Sequence, residues 1–113
     1  MALEARRRQV EFYVREDDAT PYLEWFWSIR DRRTRNRIAR RIDRIEQGNF
    51  GDHRSVGEGV WELRLFFGPG YRIYFAEAGD TVVLLLCGGD KRSQQQDIER
   101  AKTYWHDYKE RMR

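Results

Sequence analysis

The chain has 113 residues with a formal net charge of +3; 36% of its residues are charged and 14% are aromatic. This length favours one domain over residues 1–113, and the aromatic share excludes a disordered chain. The single cysteine, Cys87, excludes an internal disulfide, and the sequence contains neither a membrane-length apolar run nor a metal-ligand spacing, so we expect a cytoplasmic protein without metal or cofactor.

The N-terminal half predicts one strand followed by two helices. Residues 9–15 alternate mostly in polarity, which is typical of a half-buried strand. Thr20 and Pro21 are suited to the N-cap and first position of a helix, and Asp31 begins a second helix that ends before Gly48. The apolar side chains expected to face inward are Val10, Phe12 and Val14 in the strand and Ile38, Ile42 and Ile45 in the second helix.

The C-terminal half predicts three strands and a final helix. Residues 48–59 contain four glycines and are interpreted as a loop. Strands follow over residues 60–67, 71–76 and 81–87, and Ser93 with Gln96 resembles a capping box at the start of the last helix. The predicted order is β-α-α-β-β-β-α. It describes an α+β fold with a twisted, mainly antiparallel four-stranded sheet, an N-terminal helical hairpin and a C-terminal helix.

The turn Gly68-Pro69-Gly70 predicts how the flanking strands pair. A three-residue turn would set Phe66 opposite Arg72 and Arg64 opposite Tyr74. Because side chains alternate along a strand, Arg64 and Arg72 become diagonal neighbours on one face. The face that they share also holds Glu62 and Tyr74, and the core face holds Leu63, Leu65, Ile73 and Phe75.

We expect a third cation, Lys91, to join these two arginines. Lys91 lies in a loop that leads into the N-terminus of the last helix, where free backbone N–H groups favour an anion. The three cations either surround one phosphate or are ordinary surface charges, with Glu62 as their structural partner.

A basic segment covers residues 30–44, which hold eight Arg and two Asp. It either solubilises a helix or follows a nucleic-acid backbone, for which we expect ribosomal RNA. Because its basic positions include no aromatic residue, base stacking is not expected there. The candidate RNA-binding residues are Arg33, Arg37, Arg40, Arg41, Arg44 and Arg92.

Three stretches resemble the RelE/ParE toxin superfamily, and most closely its HigB-like addiction module killer branch. They are Glu-Leu-Arg at 62–64, Gly-Pro-Gly-Tyr-Arg-Ile-Tyr-Phe at 68–75 and Leu-Leu-Leu-Cys-Gly-Gly-Asp-Lys at 84–91. The resemblance implies a small RelE-like fold and a toxin that cuts mRNA in the ribosomal A site without a metal. It also implies that Arg64, Arg72 and Lys91 hold the scissile phosphate.

The same resemblance implies partners: the ribosome, mRNA, and a cognate antitoxin with a helix-turn-helix domain through which DNA is contacted only indirectly. Cleavage by the 2′-hydroxyl needs a base, and Asp90 and His53 are the candidates. Two alternatives stay open. One is a ParE-like inhibitor of DNA gyrase that acts by binding, and the other is a non-toxic basic RNA-binding module.

Overall fold

The computed structural model describes residues 3–113, in which a mixed five-stranded sheet carries helices on both faces. The compact α+β class is as expected. In chain order the elements are β1 (Gln9–Phe12), α1 (Pro21–Ser28), α2 (Arg32–Glu46), β2 (His53–Gly57), β3 (Val60–Leu65), β4 (Tyr71–Ala78), β5 (Val82–Gly89) and, after a short 3₁₀ turn at Lys91–Ser93, α3 (Gln94–Arg111). No helix in this part of the chain combines the length and apolarity needed to cross a bilayer.

The sheet has one strand more than predicted. Its order is β1-β5-β4-β3-β2, with β1 parallel to β5 and every other pair antiparallel. The additional strand, β2, lies within residues 48–59, which were expected to form a loop. It is an edge strand with half-buried and exposed residues, so its sequence lacks the apolar alternation that predicts a strand.

The first strand is shorter than the predicted span of residues 9–15. Val10 is half-buried, whereas Phe12 and Val14 are each more than 40% exposed. Tyr13, just beyond β1, is buried instead and donates a hydrogen bond of 2.6 Å to Asp107 on α3. The expected inward position of Val14 was wrong, because β1 ends at Phe12 and Tyr13 turns inward instead. Phe12 stacks on the buried Tyr22 with ring centres 5.7 Å apart, but it stays largely exposed because β1 is an edge strand.

The two N-terminal helices begin near the predicted positions, with Pro21 in the first turn of α1 and Asp31 at the N-cap of α2. They do not form a hairpin that packs mainly on itself, because α1 packs on β5 and α2 packs along β1. Trp25 of α1 lies directly on Gly88, where a β-carbon would come within 2.2 Å of the indole ring. The helices thus cover one face of the sheet side by side.

Both faces of the sheet are buried in apolar clusters. The α1/α2 face contains the predicted residues Leu63, Leu65, Ile73 and Phe75, packed with Ile38, Ile42 and Ile45 of α2. On the opposite face, Ile98 and Ala101 of α3 pack against Tyr74 and Leu86. The face that carries Arg64 and Arg72 is therefore covered by α3 over part of its length, and the arginines lie towards one end.

Candidate nucleic-acid interface

The β3–β4 hairpin places two arginines directly opposite each other. Arg64 pairs with Arg72, and Leu63 pairs with Ile73. The predicted register is wrong by two residues because β3 ends at Leu65, so residues 66–70 form a five-residue turn. A shift of two preserves the alternation of side chains, and the two arginines share a face as expected.

Arg72 faces a buried carboxylate, Glu62. The Glu62 side chain is fully buried and accepts hydrogen bonds from Arg54 Nε at 2.7 Å, Tyr74 Oη at 2.9 Å and Gln94 Nε2 at 2.9 Å. The Nε atom of Arg72 lies 3.7 Å from the same carboxylate. Burial acts to raise the pKa of Glu62, but the three hydrogen bonds together outweigh it and hold the pKa below the usual value. The carboxylate is therefore ionised, and its charge attracts Arg72 without a hydrogen bond between the two side chains.

This network makes folding stability depend on pH. The folded-state pKa of Glu62 lies below the unfolded value of about 4.3, so its contribution is present above that pH and is lost as pH falls through the folded pKa. We expect Glu62→Gln to lower the urea midpoint at pH 7 and to weaken its fall between pH 5 and pH 3. Glu99→Gln, at an exposed position of α3, is the control. Parallel curves for Glu62→Gln and the native chain would contradict this role.

Arg64 is paired with a different carboxylate, Asp52. Its Nε and Nη2 atoms donate to the two Asp52 oxygens at 3.0 and 3.1 Å, a bidentate geometry. These hydrogen bonds raise the pKa of the Arg64 guanidinium. Both arginines thus have carboxylate partners from neighbouring strands or loops, which relieves the repulsion between two like charges on paired strands.

Lys91 lies beside Arg72 at the same end of the sheet. A β-carbon on Gly70 would lie 3.2 Å from Arg72 Nη1 and 3.6 Å from Lys91 Cβ, so both residues border one point of the turn. Lys91 is exposed, as is the neighbouring Arg92. The structure therefore brings Arg64, Arg72 and Lys91 to one end of the sheet, as the sequence predicted.

Neither candidate base, Asp90 or His53, is available beside the three cations. Asp90 caps the 3₁₀ turn: its carboxylate accepts from the Arg92 backbone N–H at 2.8 Å and pairs with the Arg92 side chain at 3.5 Å. The predicted capping box of Ser93 and Gln96 was wrong, because the box joins Asp90 and Ser93 one turn earlier. His53 is a strand residue paired with Leu63, so it faces α2 and lies across the sheet from the cations.

The basic segment coincides with α2, and its arginines divide into two kinds. Arg33, Arg37, Arg40 and Arg44 are exposed. Arg41 is buried and donates to the backbone carbonyls of Arg64, Phe50 and Asp52 at 2.8, 3.1 and 2.9 Å. Burial and the nearby charge of Arg44 lower the pKa of Arg41, and Asp52 opposes them. The prediction that Arg41 contacts RNA was wrong, because its guanidinium is engaged inside the protein.

A groove of about 550 Å³ runs between α2 and the β3–β4 turn. Its lining combines exposed arginines of α2 with two aromatic residues of the turn, Phe66 and Phe67. Phe66 is 78% exposed, and the Arg37 guanidinium lies 3.8 Å from the centre of the Phe67 ring. Base stacking was not expected beside the basic helix, but the fold supplies these rings from a segment about thirty residues away in the chain.

Comparison with known proteins identifies the family. The model of the phage-derived protein Gp49-like family (DUF891) matches residues 25–109. The chain belongs to the Gp49-like family. An uncharacterized protein of Haemophilus influenzae is 45% identical over 78 residues, which cover 69% of this chain and 79% of that protein.

This assignment corrects the resemblance drawn from short motifs. The Gp49-like family is distinct from the RelE/ParE-like families, so the membership suggested by residues 62–64, 68–75 and 84–91 was wrong. A glycine-rich turn between apolar strands is what any tight antiparallel hairpin requires, and it therefore discriminates poorly between families. The Gp49-like family is often associated with toxin–antitoxin modules, which agrees with the coarser functional expectation.

Three residues of this Gp49-like site were missed by sequence reasoning. Asp52 lies within the predicted loop of residues 48–59, and Phe66 lies within the predicted strand of residues 60–67, which in the structure ends at Leu65. The role of Arg41 depends on carbonyl groups distant in the chain. For Arg41 a signal did exist. It lies three residues after Ile38 and four before Ile45, which places it near the apolar stripe of α2.

Proposed function

We propose that the chain is the toxin of a toxin–antitoxin pair and arrests translation by cutting mRNA on the ribosome. The observation that carries the proposal is the convergence of Arg64, Arg72 and Lys91 at the end of the sheet beside the arginine groove of α2. Such an arrangement favours a polyanion that places one phosphate at Arg64, Arg72 and Lys91 and the rest of its backbone along α2.

The proposed chemistry uses the cations to stabilise charge. The 2′-oxygen attacks the adjacent phosphorus, the bond from phosphorus to the 5′-oxygen breaks, and a 2′,3′-cyclic phosphate and a 5′-hydroxyl result. Arg64 and Arg72 stabilise the charge that develops on the phosphoryl oxygens, and Lys91 donates the proton to the leaving 5′-oxygen. Lys91 suits this role because it is exposed at the turn beside Arg72.

The structure also bears on why the ribosome is part of the proposal. Asp52 is bound by Arg64 and Glu62 is buried, so neither carboxylate is free to remove the 2′-hydroxyl proton. Asp90 is engaged in capping, and His53 lies on the other face. We therefore assign proton removal to a group of the ribosome, which makes cleavage ribosome-dependent.

The proposal includes a cognate antitoxin that carries a helix-turn-helix domain. Residues 30–44 have a charge of +6 from eight Arg and two Asp, which suits an acidic binding segment. Contact with DNA is then indirect, through the antitoxin.

Mapping mRNA 5′ ends after induction tests the proposal. We expect growth to stop and new ends to appear within translated regions, because the cations act on mRNA held by the ribosome. The control is purified mRNA incubated with the chain without ribosomes, which should remain intact. Growth arrest with intact mRNA and with DNA damage would favour inhibition of gyrase, and unaffected growth would favour a non-toxic RNA-binding module. Either result would overturn the proposal.

A further inference from the structure

We propose that the groove between α2 and the β3–β4 turn binds one unstacked base of single-stranded RNA on the Phe66 ring. The flanking phosphates contact the arginines of α2. The inference rests on the proposed function for its choice of RNA, but it concerns equilibrium binding and not cleavage.

The first argument is the position of Phe66. A ring that is 78% exposed leaves most of its apolar surface in water, whereas its neighbour Leu65 is buried in the core. The ring belongs to a turn held by the packing of Phe67 against Tyr71, with ring centres 5.6 Å apart. An open aromatic face is what an unpaired base stacks on, and stacking accepts any base because every base has a π face.

The second argument is the cationic wall around this ring. Arg37, Arg40 and Arg44 line the groove at helical spacings of three and four, so they form a row about 10 Å long on one face of α2. The Arg64 guanidinium also lies near this ring, 5.7 Å from its centre. Asp43 also lines the groove and offsets part of this charge, but the arginines outnumber it.

The third argument is preorganisation. The Arg37 guanidinium rests on the Phe67 ring at 3.8 Å, which limits its motion, and Arg41 ties α2 to the carbonyl of Arg64 at 2.8 Å. Both walls of the groove are therefore held in place before a ligand arrives, which lowers the entropy lost on binding.

A short RNA with and without its central base provides the test. The probes are a fluorescein-labelled single-stranded RNA pentamer and the same pentamer with an abasic central nucleotide, which keeps every phosphate. Fluorescence anisotropy measures the affinity of each for the purified chain. We expect the native chain to prefer the intact pentamer by about 5- to 150-fold, the range measured when stacking on one base is removed.

The variant Phe66→Leu keeps apolar bulk but removes the aromatic face. We expect it to bind the intact pentamer about as weakly as the native chain binds the abasic one, with no further loss when both changes are combined. Phe66→Trp should retain the preference. Phe12→Leu, at another exposed phenylalanine that does not line this groove, is the matched control and should behave as the native chain does.

Salt dependence separates the two parts of the site. Arg40→Ala should weaken both pentamers equally and reduce the slope of log affinity against log salt by about 0.7, the value for one phosphate contact to a single strand. Phe66→Leu should leave that slope unchanged.

Three results would overturn the inference: absence of pentamer binding, equal affinity for the intact and abasic pentamers, or unchanged base preference in Phe66→Leu. The first two are also expected if the groove takes an acidic protein segment instead of RNA. Base-independent binding together with mRNA cleavage would overturn this inference and leave the proposed function standing. Base-dependent binding with intact mRNA would do the reverse.

Discussion

Replacement of Arg72 by alanine is expected to lower the rate of ribosome-dependent mRNA cleavage about 10²- to 10³-fold, the usual loss when one charge-stabilising donor is removed. Arg72 lies opposite Arg64 and beside Lys91, and its Nη1 atom donates to the Gly70 carbonyl at 2.7 Å. The guanidinium is therefore held at the point where we place the scissile phosphate. Rates of mRNA cleavage in a purified translation system measure the effect.

Arg72 also faces the buried Glu62, so its loss has a structural component that must be separated from the catalytic one. Thermal unfolding of Arg72→Ala gives the fraction folded at the assay temperature. Lys91→Ala removes an exposed cation of the same cluster and should slow cleavage with little change in stability. If folded Arg72→Ala and Lys91→Ala both cleave at the native rate, the assignment of these cations to the phosphate is wrong.

The second large effect concerns stability. We expect Arg41→Met to lower the free energy of unfolding by about 3 kcal/mol, because backbone carbonyls that now accept from Arg41 lose that donor while buried. In a domain of this size such a loss corresponds to a fall in Tm of about 10–20 °C. Calorimetry or circular dichroism during heating measures it.

The matched control is Arg40→Met, which makes the same substitution at the adjacent, exposed position of α2. It should change the free energy of unfolding by no more than about 0.5 kcal/mol. Equal, small effects at positions 40 and 41 would show that the buried hydrogen bonds of Arg41 contribute little net stability.

Local sequence patterns were sufficient to predict which side chains face the core in elements that bury one face. The isoleucines at 38, 42 and 45 and the alternating residues of β3 and β4 pack on the predicted face. Local sequence patterns failed where a strand pairs with only one neighbouring strand or where the chain departs from strand geometry. The edge strand β2 has no apolar face to reveal it, and the buried Tyr13 is surrounded by exposed neighbours. The pairing of β1 with β5 joins residues more than seventy positions apart, and no local pattern encodes such a contact.

For the site, the sequence predicted which cations meet but not what accompanies them. Parity along the strands is sufficient to place Arg64 and Arg72 together, and it survives an error of two residues in register. The partner Asp52, the exposed Phe66 and the internal role of Arg41 depend on how the turn and α2 approach each other in space. These contacts belong to the tertiary structure, and those of Asp52 and Phe66 leave no local sequence pattern. The many arginines of α2 also make the inward-facing Arg41 hard to tell from its exposed neighbours.

The bonds from Arg41 to the carbonyls at 64 and 52 have a consequence for the spacing of the contacts with RNA. They fix α2 against the end of β3, so the distance between the exposed arginines of α2 and the cations at the end of the sheet is constant. If α2 binds the RNA backbone and the sheet cations act on the scissile phosphate, the length of RNA between the two contacts is set before cleavage.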